Sequence, residues 1–168
     1  MSSIGLISEN DNSTVLAEYT GLNRVATSFQ SEDALEKELI NTLIEQGYER
    51  LTINSEDELI LNLRKQLEKL NNYHFTDGEW DYFFTKVIAN KNDYIIEKTR
   101  LIQEDYKQEL TLDSGEKRNI YLIDKNNIHN NSVQVLNQYV NNDGNYDNRY
   151  DVTILVNGLP LVHIELKK

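Results

Sequence analysis

The chain has no cysteine and a single proline among its 168 residues. Without thiols, disulfide frameworks, thiolate metal sites and cysteine nucleophiles are excluded. Long apolar runs are also missing: no stretch approaches the ~18 residues that a membrane-crossing helix needs, so no membrane partner is expected. Residues 1–30 lack the basic segment followed by an apolar one that marks a signal peptide, and the expected location is the cytoplasm. Positive charge is scarce as well, 17 Lys+Arg against 28 Asp+Glu for a net charge of -11. Because nucleic-acid affinity comes largely from basic side chains that displace counterions, composition taken alone argues against a nucleic-acid partner. The few glycines form no Gly-x-x-x-x-Gly-Lys loop, so the chain has no phosphate-cradling nucleotide site of that kind.

What is present suffices for a packed fold. Apolar residues make up 39% and aromatics 9%, and the length is that of about one domain. Residues 1–30 are polar without sustained period and read as an irregular N-terminal arm; residues 31–168 read as the domain proper. From Ser31 onward, Leu35, Leu39, Ile40, Leu43 and Ile44 recur at helical spacing, with Gly47 as the stop. Ser55 with Glu58, and Thr76 with Glu79, are capping-box pairs that predict two further helices. A fourth short helix or an irregular connector fits residues 94–104. After Lys107 the apolar period becomes that of strands: a hairpin around Asp113, Ser114, Gly115 and Glu116, a strand through Val133, Val135 and Tyr139, then strands over 151–156 and 161–167. Helices first and strands second predict a mixed α+β (α/β) domain with helices on the sheet.

The last hairpin carries the chemistry. Val152, Ile154 and Val156 alternate along one strand and Val162, Ile164 and Leu166 along the next. For these sets to share a face, opposed residues must have numbers with an even sum, since a one-residue slip flips every side chain. A three-residue loop of Asn157, Gly158 and Leu159 meets that condition, putting Val156 opposite Pro160, Ile154 opposite Val162 and Val152 opposite Ile164. Asp151 then opposes Glu165, two like charges ~4.5–5.5 Å apart at Cβ that are destabilising unless something neutralises them. A divalent cation does so, and carboxylate oxygens with water and phosphate are the ligands Mg²⁺ prefers. Asp151 and Glu165 are therefore the predicted metal ligands. Lys167, one pleat along on the same face, is placed to orient or deprotonate an attacking water and to offset phosphate charge. The implied reaction is phosphodiester hydrolysis.

Other features weigh less. His163 shares that face and could touch substrate, but nothing near it marks it as a base. Glu32 and Glu36 sit one turn apart beside the apolar stripe of the first helix, where a carboxylate could reach the metal or simply favour the helix N-terminus. The basic groups Arg64, Lys65 and Lys69, then Lys98 and Arg100, then Lys117 and Arg118, read as solvated faces. The group Trp80, Tyr82, Phe83 and Phe84 reads as core rather than as a platform for stacking bases.

The run Arg149, Tyr150, Asp151, Val152 and Thr153, continued by Asn157, Gly158, Leu159, Pro160, Leu161, Val162, His163, Ile164, Glu165, Leu166 and Lys167, resembles the N-terminal nuclease domain of the type I restriction enzyme R subunit. Upstream, Ser31, Glu32, Asp33, Ala34, Leu35 and Glu36 with Gln46, Gly47 and Tyr48 resemble the family's first helix. Glu97, Lys98, Thr99 and Arg100 match a later segment, as do Tyr121, Leu122, Ile123 and Asp124, then Asn130 and Asn131, then Val135, Leu136, Asn137 and Gln138.

The resemblance implies a restriction-endonuclease-like mixed sheet flanked by helices, with a metal-dependent site of the PD-(D/E)xK class. Asp151 takes the first acidic position, with Tyr150 in place of the proline of the class name, and Glu165 and Lys167 take the Glu-x-Lys positions. Glu36, or else Glu32, takes the first-helix glutamate. It further implies a DNA endonuclease acting against foreign DNA, with Mg²⁺ as cofactor and double-stranded DNA plus modification and specificity subunits as partners. ATP enters only through helicase-like motor domains that follow in the family. Ending at Lys168, the chain reads as an incomplete domain, truncated before the family's Gln-x-x-x-Tyr helix and with little activity alone. The alternative is an acidic DNA mimic or regulatory interaction module without catalysis, which the charge of -11 would suit.

Overall fold

The computed structural model describes residues 4–8, 16–19, 31–53, 55–141 and 148–166. They fall into two units, Met1–Ser31 and Glu32–Lys168. In the first, β1 (Ile4–Ser8) pairs antiparallel with β2 (Leu16–Tyr19). This strand pair stands where the sequence predicted an irregular arm. Ladder hydrogen bonds use backbone groups, so pairing does not require the apolar alternation whose absence suggested irregular structure.

The second unit begins with α1 (Glu32–Glu45), whose acidic first turn suits the positive end of the helix dipole. Gly47, at φ +94°, takes the left-handed conformation that ends it. After the two-residue strand β3 (Glu49–Arg50) comes α2 (Glu56–Asn71), whose N-cap Ser55 accepts the Glu58 N–H at 3.2 Å. A complete capping box of Thr76 and Glu79 starts α3 (Asp77–Phe83), which runs into a π-helical turn, Phe84–Ile88. The connector at 94–104 is a helix, α4 (Ile95–Gln103). The hairpin β4 (Lys107–Thr111) and β5 (Lys117–Tyr121) precedes β6 (Val133–Asn141), β7 (Asn148–Val156) and β8 (Leu159–Ile164).

The main sheet has the order β3-β6-β7-β8, with β3 parallel to β6 and the other pairs antiparallel. On one face Val135 and Val152 pack against Ile40 and Leu43 of α1, with Ile154 and Ile164 alongside. The opposite face is also covered: Gln134, Thr153 and Leu155 are buried, and Asn62 of α2 donates to Gln134 Oε1 at 2.9 Å. Strand β7 is therefore buried on both faces, where its alternation suggested one, because it is a central strand with helices on both sides. A second core joins Leu63 and Leu67 of α2, Trp80 and Phe83 of α3, and Leu110 and Ile120 of the β4–β5 hairpin. Trp80 and Phe83 are core as predicted, while Tyr82 is exposed.

The β7–β8 turn departs from the three-residue loop. Val156 pairs with Leu159 and Leu155 with Pro160, so the turn is Asn157 and Gly158 alone, both at positive φ (51° and 82°). That is the backbone of a type I′ hairpin turn, whose twist matches the strands and which Asn-Gly favours. A register shift between Ile154 and Leu155 absorbs the odd residue. Beyond it Ile154 faces Val162 and Val152 faces Ile164, as alternation predicted.

Glu79 ties α3 to the β4–β5 turn. It is buried and accepts from the Tyr73 hydroxyl (2.7 Å), the Thr76 N–H (3.0 Å) and the Asp113 N–H (3.0 Å). Burial pushes its carboxyl up, but these donors outweigh burial and hold it below the ordinary glutamate value. The same hydrogen bond, with burial, pushes Tyr73 up to about 12. A carboxyl depressed in the folded state stabilises above its unfolded value, and that stability is lost as pH falls through the folded one. Glu79→Gln should therefore cost about 2–3 kcal/mol at neutral pH, through donors left unpaired, and flatten the decline of stability below pH ~4.5. Urea unfolding across the acid range measures both; an unchanged acid limb would assign that limb to other carboxylates. On the alkaline side the Tyr73 contribution is complete below its unfolded value and disappears as pH rises through about 12.

Candidate active site

The last laddered pair of the β7–β8 hairpin is Val152 with Ile164. Strand β8 stops there, not at residue 167, so Asp151 and Glu165 each lie one residue past the ladder. The chain leaving β8 is held by Asp151 itself: the Leu166 N–H donates to Asp151 Oδ2 at 2.7 Å. Asp151 is half-buried and Glu165 exposed, while Lys167 lies outside the described residues.

The first helix brings further carboxylates to Asp151. Glu36 is 7% exposed and accepts from Asn137 Nδ2, on β6, at 3.0 Å. Glu32, Asp33, Glu36 and Asp151 line one concavity of about 240 Å³. Both first-helix candidates thus reach it, Glu36 as the buried member and Glu32 as an exposed one; Glu165 is not part of its lining. Among the described residues, no three His, Asp or Glu side chains are already gathered as a ready-made metal cluster. The donor set nevertheless suits a hard cation, since carboxylate oxygens are its preferred ligands. Asp151 and Glu36 are each anchored through one oxygen, and among the described residues Asp151 Oδ1 and Glu36 Oε2 have no hydrogen-bond donor.

His163 faces elsewhere. Its Nδ1 lies 3.0 Å from Oγ1 of Thr153, its ladder partner, and burial pushes its pKa below the usual histidine value. It lines a separate cavity with Thr153, Glu56 and Lys98, so the structure does not bring it to the concavity of Asp151.

Residues 29–168 match the family described as "Type I restriction enzyme R protein N terminus". The chain belongs to this family. It is 46% identical over 163 residues to the type I restriction enzyme EcoprrI endonuclease subunit of Escherichia coli, covering 96% of this chain and 52% of that protein. A type I restriction enzyme endonuclease subunit of Staphylococcus aureus strain COL is 38% identical over 148 residues (84% and 15%). One from Staphylococcus saprophyticus is 40% identical over 145 residues (83% and 15%). The chain thus spans about half of the first relative and a much smaller share of the others.

In this R-protein N-terminal domain one cation in each of the three basic groups noted in the sequence is ion-paired. Arg64 pairs with Glu68 (3.1 Å) and Asp77 (2.8 Å), Arg100 with Glu104 (3.5 Å) and Lys117 with Glu109 (2.7 Å). The Arg118 guanidinium sits 4.4 Å from the centre of the Tyr73 ring. Two cations that sequence reasoning passed over, Lys37 and Arg50, instead line a cleft of about 430 Å³ together with Asp33, Glu36, Asn41 and Asn137. The signal for Lys37 was its place one turn after Asp33 on α1. Arg50 had none, because a two-residue strand leaves no alternation to read. Among the described residues no helix is long and apolar enough to cross a membrane.

Proposed function

We propose that this chain supplies the DNA-cleaving domain of a type I restriction enzyme, hydrolysing phosphodiesters of double-stranded foreign DNA with the help of Mg²⁺. The reading is carried by Asp151, the family's first acidic position, sharing one concavity with the buried Glu36. Asp151 and Glu165 are the proposed metal ligands, with Glu36 as the third carboxylate. A divalent cation held there would offset charge on the phosphoryl group and acidify a water molecule. The chain's own residues do the rest. The Leu166 N–H fixes one oxygen of Asp151 and so presents the other, and Asn137 does the same for Glu36. Lys167 aligns the attacking water and takes up part of the phosphate charge. ATP use, target recognition and methylation belong on this reading to motor domains and to modification and specificity subunits, in the cytoplasm.

Titrating the 168-residue chain with Mn²⁺ while recording amide resonances tests the metal centre. Broadening should begin at Glu36, Val152 and Leu166, and Asp151→Asn should weaken it at least about tenfold. Broadening that begins instead at the acidic start of α2 (Glu56, Asp57 and Glu58) and ignores the substitution would overturn the assignment.

A further inference from the structure

We infer that Lys37 and Arg50 grip the phosphate backbone of the DNA strand beside Asp151, an inference that rests on the nuclease reading above. Strand alternation places Arg50. In the parallel pair Glu49 lies beside Gln134 and Arg50 beside Val135, and the Glu49 carboxylate accepts from Gln134 Nε2 at 2.9 Å. Successive strand residues face opposite ways, so Arg50 lies on the other face, with Val135, Asn137 and α1. There it meets Lys37, which follows Asp33 by one helical turn. The cleft they line and the concavity of Asp151 share Asp33 and Glu36, so the two are adjoining halves of one surface.

The chemistry of the two halves differs. Four carboxylates line one, and two cations with the amides of Asn41 and Asn137 line most of the other. Among the described residues neither Lys37 nor Arg50 has an ion-pair partner, unlike Arg64, Arg100 and Lys117. A guanidinium offers a planar fork that matches two phosphate oxygens, an ammonium offers a point charge, and the amides add neutral donors. Charge balance points the same way. A strand approaching a chain of net charge -11 and a concavity lined by four carboxylates is repelled. One divalent cation offsets half the formal charge of those carboxylates, and Lys37 with Arg50 offsets the other half. Among the described residues the cleft thus offers a phosphate two cations held in no ion pair, next to the proposed metal ligands.

The test measures binding of a duplex of about 20 base pairs to the 168-residue chain in Ca²⁺ by fluorescence anisotropy, across roughly 20–200 mM NaCl. The proteins compared are the unsubstituted chain, Lys37→Ala, Arg50→Ala and Arg50→Lys. Both residues are exposed, and unchanged melting temperatures verify that the variants fold. Each alanine variant should bind about three- to tenfold more weakly at low salt and lower the slope of log K against log salt by about one. Arg50→Lys, which keeps the charge, should keep the slope and lose only part of the affinity. Unchanged slopes in both alanine variants, or no binding by the unsubstituted chain at the lowest salt, overturn the inference. The Mn²⁺ titration separates this from the parent reading. Broadening centred on Asp151 with unchanged DNA slopes leaves the nuclease standing without this grip. Altered slopes without such broadening leave a DNA contact and remove the metal centre.

Discussion

On the proposed nuclease reading, Asp151→Asn will leave the domain folded and remove DNA cleavage from a restriction complex assembled with it. The substitution keeps an oxygen where the Leu166 N–H now donates at 2.7 Å, so the exit of the chain from β8 is retained. It removes the negative charge on which the proposed binding of a hard cation depends. Loss of an electrostatic element that acts on the transition state lowers turnover on the order of 10³-fold, or about 4 kcal/mol of barrier. ATP hydrolysis, which on the proposed reading belongs to other domains, should persist. Asp151→Ala separates the two roles of the side chain. It should cost a further 1.5–3 kcal/mol or so of stability, the range for a hydrogen bond to a charged group, while cleavage is no lower than in the asparagine variant. Cleavage within about tenfold of the parent in Asp151→Asn would remove Asp151 from the chemistry.

Gly158→Ala is expected to be the most damaging single methyl group in the β7–β8 hairpin. A Cβ built at Gly158 would lie 2.6 Å from the Leu63 Cα and 3.1 Å from the Leu63 N. These are backbone atoms of α2, with no rotamer to yield. The turn cannot retreat easily either. Asn157, 1% exposed, donates to the Leu122 carbonyl at 3.0 Å and to Asn131 Oδ1 at 2.8 Å, and accepts the Ser132 N–H at 2.8 Å. Its own backbone N–H donates to the Ser132 carbonyl at 2.8 Å. Gly158 also has φ +82°, which an alanine adopts only under strain. Overpacking and strain together amount to about 3–5 kcal/mol, or a melting temperature about 10 °C lower for a domain of this size. Thermal unfolding followed by circular dichroism measures it; a fall of less than about 2 °C would mean that hairpin and helix slide apart at little cost.

Some of this architecture is written locally. Thr76 and Glu79 stand three residues apart and satisfy each other's backbone donors, so their helix start is legible without knowledge of the rest of the chain. Ser55 likewise announces α2, and Gly47 the end of α1. The alternation of Val152 and Ile154 with Val162 and Ile164 determined the register of the working half of the hairpin. Parity survives a change of turn because the core face rejects any one-residue slip. The turn itself has two residues where alternation implies three, since a bulge absorbs a residue without any mark in the alternation.

The candidate site was legible along β7 and the exit from β8, and illegible across the sheet. Asp151 stands out by its place in an alternating strand, yet nothing near Glu36 in the chain separates it from Glu32. Burial separates them, through Asn137 on β6, 101 positions away. Arg50 is similarly invisible until β3 pairs with β6, a link in which Glu49 bonds Gln134 across 85 positions. Sequence alone therefore determined the helix starts and the strand parity, and supplied the acidic residues proposed for a metal. Tertiary structure decided which carboxylate is buried beside Asp151, where β8 ends and which cations face the site. The reason is range: caps, periods and parity arise between residues a few positions apart, whereas burial and charge neighbourhood exist only once distant segments share a sheet.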